Sequence, residues 1–173
     1  MRKSVLILTI LFQFALYAQN DDKCSCCSEN HRAFDFWIGE WEVVNSQNGS
    51  PAGSSVVSRE ENGCVIHEKW TSANPGYTGT SLNFFNAESN QWEQLWVDNV
   101  GAVLKLKGNR DGNKMILTSD EFEKEGKKFR NRITWTKNDD GTVRQFWEVL
   151  GEDEKTSIAF DGLYRKAEKT KNR

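Results

Sequence analysis

The chain contains 173 residues, enough for one domain, and its composition excludes several classes of protein. Hydrophobic residues make up 37% of the sequence and aromatic residues 12%, which is too rich in large side chains for a disordered polypeptide. Two prolines are too few for a collagen-like or proline-rich chain. Beyond the N-terminus, no apolar run approaches the roughly 20 residues that a membrane-spanning helix needs.

The charges are unevenly distributed around a formal net charge of −2. Residues 19–164 carry 16 basic side chains against 24 acidic ones, whereas residues 165–173 carry five basic side chains and one acidic one. An acidic body argues against a nucleic-acid-binding surface, so we expect no nucleic-acid partner. We interpret segment 167–173 as a solvated basic tail.

The first 18 residues follow the pattern of a secretory signal peptide. Arg2 and Lys3 precede an apolar stretch over 5–16, and Ala18 supplies the small residue expected at a cleavage site. The stretch is too short to span a membrane, and the alternative is a buried N-terminal helix. The pattern predicts export to the periplasm or the extracellular space, with no membrane span after cleavage.

A cysteine-rich lead-in over 19–33 follows the predicted signal peptide. Export to an oxidising compartment permits disulfides, and the four cysteines allow three complete pairings. We favour Cys27–Cys64, because a bond between the adjacent Cys26 and Cys27 would be strained. The alternative is a metal site, although its candidate ligands are spaced more densely than in most structural zinc sites: Cys24, Cys26, Cys27 and His31.

From Phe36 onward, short runs of strand-forming residues are separated by turn signals. Asn-Gly, Asp-Gly and Asn-Pro-Gly sequences recur at intervals that suit antiparallel hairpins. The spacing predicts an all-β fold, an antiparallel up-and-down barrel of about ten strands over 34–166. A short helical turn within 28–36 is expected to precede it.

The turns also predict which residues face each other across the hairpins. A two-residue turn at Asn62-Gly63 pairs Arg59 with Ile66 and Val57 with Glu68. The other turns predict four further pairs: Trp135 with Gln145, Ile133 with Trp147, Trp96 with Leu104, and Leu106 with Leu117.

Alternation along the strands then predicts the interior of the barrel. Leu104 and Leu106 point inward because Lys105 and Lys107 occupy the opposite face. A two-residue loop next to strand 91–98 would instead turn Trp96 outward. Extended through the hairpins, the rule of alternation gives this interior: Ile66, Glu68, Trp70, Leu82, Phe84, Gln94, Trp96, Leu104, Leu106, Leu117, Asn131, Ile133, Trp135, Gln145, Trp147 and Val149.

The sequence FDFWIGEWEV over 34–43 places Gly39-x-Trp41 at the start of the first strand, and GCVIHEKW and FDGLYRK follow in order along the chain. Together these motifs resemble a family of exported bacterial calycin-like proteins, related to lipocalins and fatty-acid-binding proteins, for which no reaction is established. The resemblance covers nearly all of 27–166. It implies a barrel, a Trp41 ring stacked on Arg165 from the last strand, and the Cys27–Cys64 bridge.

The predicted interior interleaves indoles with polar side chains, a pattern typical of small-molecule pockets. We therefore expect a small amphipathic or planar ligand and no cofactor. The candidate ligand-binding residues are Glu68, Trp70, Phe84, Gln94, Trp96, Asn131, Trp135, Gln145 and Trp147.

Three other interpretations remain open. A buried Glu68 could act as a general acid or base in an enzyme, or could form an internal ion pair with Arg59. The polar groups could instead satisfy one another inside a filled core, which would favour a structural or interaction protein of the cell envelope. A haem site would need His31 or His67, and the predicted register turns His67 outward.

Overall fold

The computed structural model describes residues 24–152 and 156–168. They form a closed antiparallel barrel of ten strands, which confirms the predicted fold class. Among these residues, no helix is long and apolar enough to cross a bilayer. The predicted signal peptide, the lead-in up to residue 23 and the end of the basic tail lie outside the described residues.

The barrel follows a short helical lead-in. Helix α1 spans Glu29–Arg32 and a single helical turn spans Asp35–Trp37, where a helical turn was predicted. Another single turn at Glu61–Gly63 connects two strands. The strands are β1 (Gly39–Asn45), β2 (Pro51–Glu60), β3 (Val65–Ser72), β4 (Thr78–Asn86), β5 (Gln91–Asp98), β6 (Val103–Asp111), β7 (Lys114–Thr118), β8 (Phe122–Lys124), β9 (Lys127–Lys137), β10 (Val143–Gly151) and β11 (Thr156–Lys166).

Strands adjacent in sequence pair with each other, and the pairing of β11 with β1 closes the barrel. Strand β7 pairs with the second half of β9, and the short β8 pairs with its beginning. Together β7 and β8 therefore occupy one of the ten positions around the barrel. The antiparallel order places both the lead-in and the end of β11 at one end, and the β3–β4 and β5–β6 connections at the other.

The tight turns fix most of the predicted registers. Arg59 faces Ile66 and Val57 faces Glu68, as the Asn62-Gly63 turn predicts. The pairs across β9–β10 and β5–β6 are also confirmed: Trp135 with Gln145, Ile133 with Trp147, and Trp96 with Leu104. Leu106 does not face Leu117. Gly108, the next residue on the same face, faces Leu117 instead. Asp111 pairs with Lys114 across the turn, which moves the register by two residues from the predicted one.

The predicted orientation of β4 is wrong. Ser81 and Asn83 are fully buried, whereas Leu82 is 41% exposed and Phe84 lies on the same outer face. Because side chains alternate along a strand, a shift of one residue reverses every side chain. Ser81 faces Glu68 across β3–β4, so this orientation gives the buried carboxyl group a hydroxyl neighbour.

The lead-in plugs one end of the barrel with aromatic side chains. The Phe34 and Trp37 rings stack at a centroid distance of 5.0 Å, and Trp135 packs against both. The Trp41 indole donates a hydrogen bond of 2.8 Å to the Trp37 carbonyl oxygen, and Trp92 donates one of 3.0 Å to the Asn30 carbonyl oxygen. This closed end contains most of the hydrophobic core.

The cation above Trp41 belongs to Lys166, which corrects the assignment of Arg165. The Lys166 Nζ atom lies 3.7 Å from the centroid of the ring and donates a hydrogen bond of 2.7 Å to the Ile38 carbonyl oxygen. Trp41 pairs with Lys166 in the ladder, so alternation turns Arg165 outward. Gly39 makes room for this lysine, since a Cβ atom there would overlap Nζ.

The predicted Cys27–Cys64 disulfide is also wrong. Cys26 bonds to Cys64, and Cys24 bonds to Cys27. Cys26 is buried between the lead-in and the start of β3, whereas Cys27 is exposed. The adjacent cysteines therefore diverge, and the long-range bond fastens the lead-in to the barrel.

Candidate functional site

A cavity of about 370 Å³ occupies the end of the barrel opposite the aromatic plug. Its mouth lies between the start of β2 at Pro51, the end of β3 at Ser72 with the β3–β4 connection at 73–77, and Ala159 in β11. At this end the core is not filled. The volume falls at the lower end of the range of about 300–1,000 Å³ that is typical of small-molecule pockets.

Six of the nine predicted ligand-binding residues line this cavity: Glu68, Trp70, Gln94, Trp96, Gln145 and Trp147. The other three do not. Phe84 lies on the outer face of β4, and Trp135 belongs to the closed-end cluster. Asn131 lies on the inward face of β9 but does not line the cavity, and its Oδ1 atom accepts a hydrogen bond of 2.8 Å from the Trp147 indole, which orients that ring.

Glu68 is held inside the cavity wall by two serine hydroxyls. The Ser55 Oγ atom donates to Oε1 at 2.9 Å, and the Ser81 Oγ atom donates to Oε2 at 3.1 Å. The carboxyl group is 4% exposed. Burial raises the pKa of Glu68 from 4.5 to about 7, although the two serine hydrogen bonds act in the opposite direction. A pKa of about 7 means that Glu68 gains or loses its proton near neutral pH.

The hydrogen-bond network around Glu68 has one consistent orientation. The main-chain carbonyl oxygen of Ile66 can only accept, so it fixes the amide nitrogen of Asn83, which donates to it at 3.0 Å. The same nitrogen donates to Ser81 Oγ at 3.0 Å, which leaves the serine proton for Glu68. The Asn83 Oδ1 atom accepts from Gln94 Nε2 at 2.7 Å, and the Gln94 oxygen remains as an acceptor.

A second polar pair lies across the lumen from β3. The Tyr164 hydroxyl donates a hydrogen bond to Gln145 Oε1, and both residues line the cavity. The pKa of Tyr164 is well above its usual value because of burial and, secondarily, the nearby Glu68 charge. The tyrosine therefore stays protonated and acts as a hydrogen-bond donor, not as a base.

Glycines allow the aromatic walls to lie flat against the sheet. A Cβ atom on Gly79 would overlap Cζ2 of Trp96, and one on Gly53 would lie 2.7 Å from Cζ2 of Trp70. Each indole thus rests on the backbone of a neighbouring strand and leaves the space in front of it open.

The residues behind the other interpretations lie elsewhere. Arg59 pairs with Asp35 of the lead-in and donates to the Gly63 carbonyl oxygen at 2.5 Å, so the expected ion pair with Glu68 is not formed. His67 contacts Glu60 and Thr80 on the outer face, as the register predicts. His31 packs against Phe85 at a ring-centroid distance of 5.1 Å. Neither histidine is among the residues that line the cavity.

The cysteines of the alternative metal site are also accounted for. Cys24 and Cys26 are both disulfide-bonded, so neither offers a thiolate ligand. Within 24–152 and 156–168, no three His, Cys, Asp or Glu side chains are grouped as a metal site would require.

Four polar residues of the site were not predicted from the sequence: Ser55, Ser81, Asn83 and Tyr164. A signal for Ser55 was available, because the Asn62-Gly63 register places it two residues from Val57 on the inward face. Tyr164 was missed because its neighbour Arg165 was expected to stack on Trp41, and alternation then turns Tyr164 outward. Ser81 and Asn83 carried no such signal, since the β3–β4 connection contains no short turn that fixes the register.

Comparison with known proteins gives no independent guide to function: no known family model matches the chain, and no curated protein matches it.

Proposed function

We propose that this protein is an exported binding protein that holds a small organic molecule in the open end of its barrel, and that it belongs to the calycin-like class its motifs resemble. The observation that carries the proposal is the cavity of about 370 Å³, walled by three indoles and supplied with buried polar atoms. Binding pockets combine apolar walls with a few convergent polar groups in this way.

The incomplete hydrogen bonding of the wall supports this function. Glu68, Gln94 and Gln145 each use part of their hydrogen-bonding capacity within the protein and face the same cavity. The free positions face the cavity, where water can fill them and where polar groups of a ligand can take the place of that water. Export is supported by the predicted signal peptide and by the two disulfides, which are typical of oxidising compartments.

A cavity-narrowing variant tests the proposal. Gly79→Ala places a methyl group under Trp96, which forces the indole away from the sheet and into the cavity. Compounds that shift tryptophan fluorescence of the wild type in a saturable manner should bind Gly79→Ala much more weakly. Thr78→Ala, an exposed neighbouring change, is the matched control and should bind normally. Ala159→Trp narrows the mouth independently from an exposed position.

Two outcomes of these binding measurements would count against a binding function of the cavity. If no compound of a broad neutral, cationic and anionic library binds, the cavity is incidental and an envelope interaction protein is favoured. If compounds bind equally well to the wild type, Gly79→Ala and Ala159→Trp, their site lies outside the cavity.

A second candidate function is catalysis by Glu68. The observation that favours it is a carboxyl group that faces the cavity with a pKa of about 7, because a general acid or base works best near the operating pH. Glu68→Gln should then abolish turnover of a bound compound while retaining its binding. Mass spectrometry of the reaction mixture separates the two functions, since a binding protein returns the compound unchanged.

A further inference from the structure

The charge in the cavity is of one sign only, negative, and this restricts the ligands that the cavity can bind. Among the described residues that line it, Glu68 is the one member of the Asp, Glu, Lys, Arg and His side chains. Within the described residues, no Lys, Arg or His forms an ion pair with the Glu68 carboxylate. A ligand carboxylate or phosphate would meet a negative charge and no compensating cation.

The carboxylate has unused capacity to accept hydrogen bonds. It offers roughly four acceptor positions, and the serine hydroxyls of Ser55 and Ser81 fill two of them. The oxygen of Gln94 is a further acceptor, because the hydrogen bond from its amide nitrogen to Asn83 fixes the orientation of the group and leaves one N–H free. The interior therefore presents more unused acceptors than donors on this side, which suits a group with several N–H bonds.

The apolar part of the wall suits the rest of such a ligand. Trp70, Trp96 and Trp147 line the same cavity as Glu68, and indoles are the side chains that attract cations most strongly through their faces. The cavity volume of about 370 Å³ suits a compound with one or two rings better than a long acyl chain.

We propose that the cavity binds protonated amines attached to an aromatic or cyclic body, with the ammonium group at Glu68 and the ring between the indoles. This inference rests on the proposed binding function and narrows it to one chemical class. It also disfavours a fatty acid, whose carboxylate would meet the Glu68 carboxylate with no Lys, Arg or His among the lining residues. The free-energy cost of burying an ionised Glu68 without a counter-ion is then offset when the ligand supplies the positive charge.

Three probes of similar shape and different charge test the inference: phenethylamine, phenethyl alcohol and hydrocinnamate. Binding is measured by ligand-observed NMR and tryptophan fluorescence at about pH 8, above the pKa of Glu68 and below that of an alkylamine. The expected order of affinity is amine, then alcohol, then carboxylate. Glu68→Gln should weaken amine binding about tenfold or more while leaving alcohol binding unchanged. Glu40→Gln, an exposed carboxyl group at the closed end, is the matched control and should leave all three affinities unchanged.

A variant that adds a positive charge to the cavity keeps the test independent of whether Glu68→Gln folds. Ser72 lines the mouth, and Ser72→Lys adds a cation to the cavity at a partly exposed position. This variant should lose affinity for the amine and gain affinity for hydrocinnamate.

The outcomes separate the inference from the proposed function. Carboxylate binding to the wild type as tight as amine binding overturns the inference while the binding function stands. Amine affinity that is unchanged by both Glu68→Gln and Ser72→Lys overturns it as well. If none of the three probes binds, the inference is wrong, and the broad library then decides whether any binding function survives.

Discussion

Replacing Glu68 with Gln should stabilise the protein above neutral pH. The carboxyl group has a pKa of about 7 in the folded protein and 4.5 as its ordinary value. Because its folded pKa is the higher one, the folded state holds the proton more tightly than the unfolded chain does. The resulting stabilisation is complete below about pH 4.5 and disappears as the pH rises towards 7. At about 1.4 kcal/mol for each pH unit, the loss amounts to about 3 kcal/mol.

Urea unfolding of both proteins between about pH 4.5 and 8.5, followed by tryptophan fluorescence, measures this effect. All other carboxyl groups are the same in the two proteins, so the difference between their unfolding free energies isolates Glu68. The two curves should lie close together at the acidic limit, because glutamine and protonated glutamate are similar in shape and hydrogen bonding. They should diverge in favour of Glu68→Gln above about pH 4.5, where the carboxyl group ionises in the unfolded wild type but not in the folded one, and the difference should level off above about pH 7. The exposed Glu40→Gln should show no such divergence.

Two results would refute the reasoning. Parallel curves would mean that Glu68 ionises with an ordinary pKa and that its burial has no electrostatic cost. A wild type that gains stability relative to Glu68→Gln with rising pH would mean that a cation pairs with the carboxylate. Ser55→Ala gives an internal check, because removing one hydrogen bond to the carboxylate should raise the pKa of Glu68 further, so that the divergence continues to a higher pH and reaches a larger final value.

The closed end of the barrel yields two further predictions. Lys166→Met removes the cation above Trp41 and its hydrogen bond to the Ile38 carbonyl oxygen, and should lower the free energy of urea unfolding by about 1–2 kcal/mol. Arg165→Met, at an exposed position, is the control and should have little effect. Equal effects of the two changes would contradict the contact of Lys166 with Trp41. Replacing both Cys26 and Cys64 by Ser opens a loop with a sequence separation of 38 and should cost about 4 kcal/mol in the same assay. A negligible cost would mean that packing alone holds the lead-in on the barrel.

Turn chemistry explains why much of the fold could be predicted. Asn62-Gly63 fixed the register of β2 and β3, and the turn at 138–142, which contains Gly141, fixed that of β9 and β10. Short glycine-containing turns permit few geometries, so the residues on either side of them are set within one pairing. The cysteine pairing could not be obtained in the same way, because it depends on how the lead-in packs against the start of β3.

The error in β4 has a physical origin that concerns the site itself. Apolar Leu82 was expected inside, but the lumen beside it contains the carboxyl group of Glu68 and needs hydroxyl and amide donors. Alternation of apolar and polar residues identifies the buried face of a strand only where the interior is apolar. In β4 the polar face is the buried one, and Leu82 lies on the surface.

This inversion bears on function. A barrel that needed stability alone could fill the open end with aliphatic side chains, as the closed end is filled with aromatic ones, and would lose no free energy by burying a carboxyl group. Ser55, Ser81 and Asn83 instead hold Glu68 in a fixed position where burial opposes its ionisation. Departures from the most stable arrangement are expected where a protein binds or transforms another molecule. The polar side of the lumen is therefore the part of this fold whose composition stability alone leaves unexplained and the proposed binding function would explain.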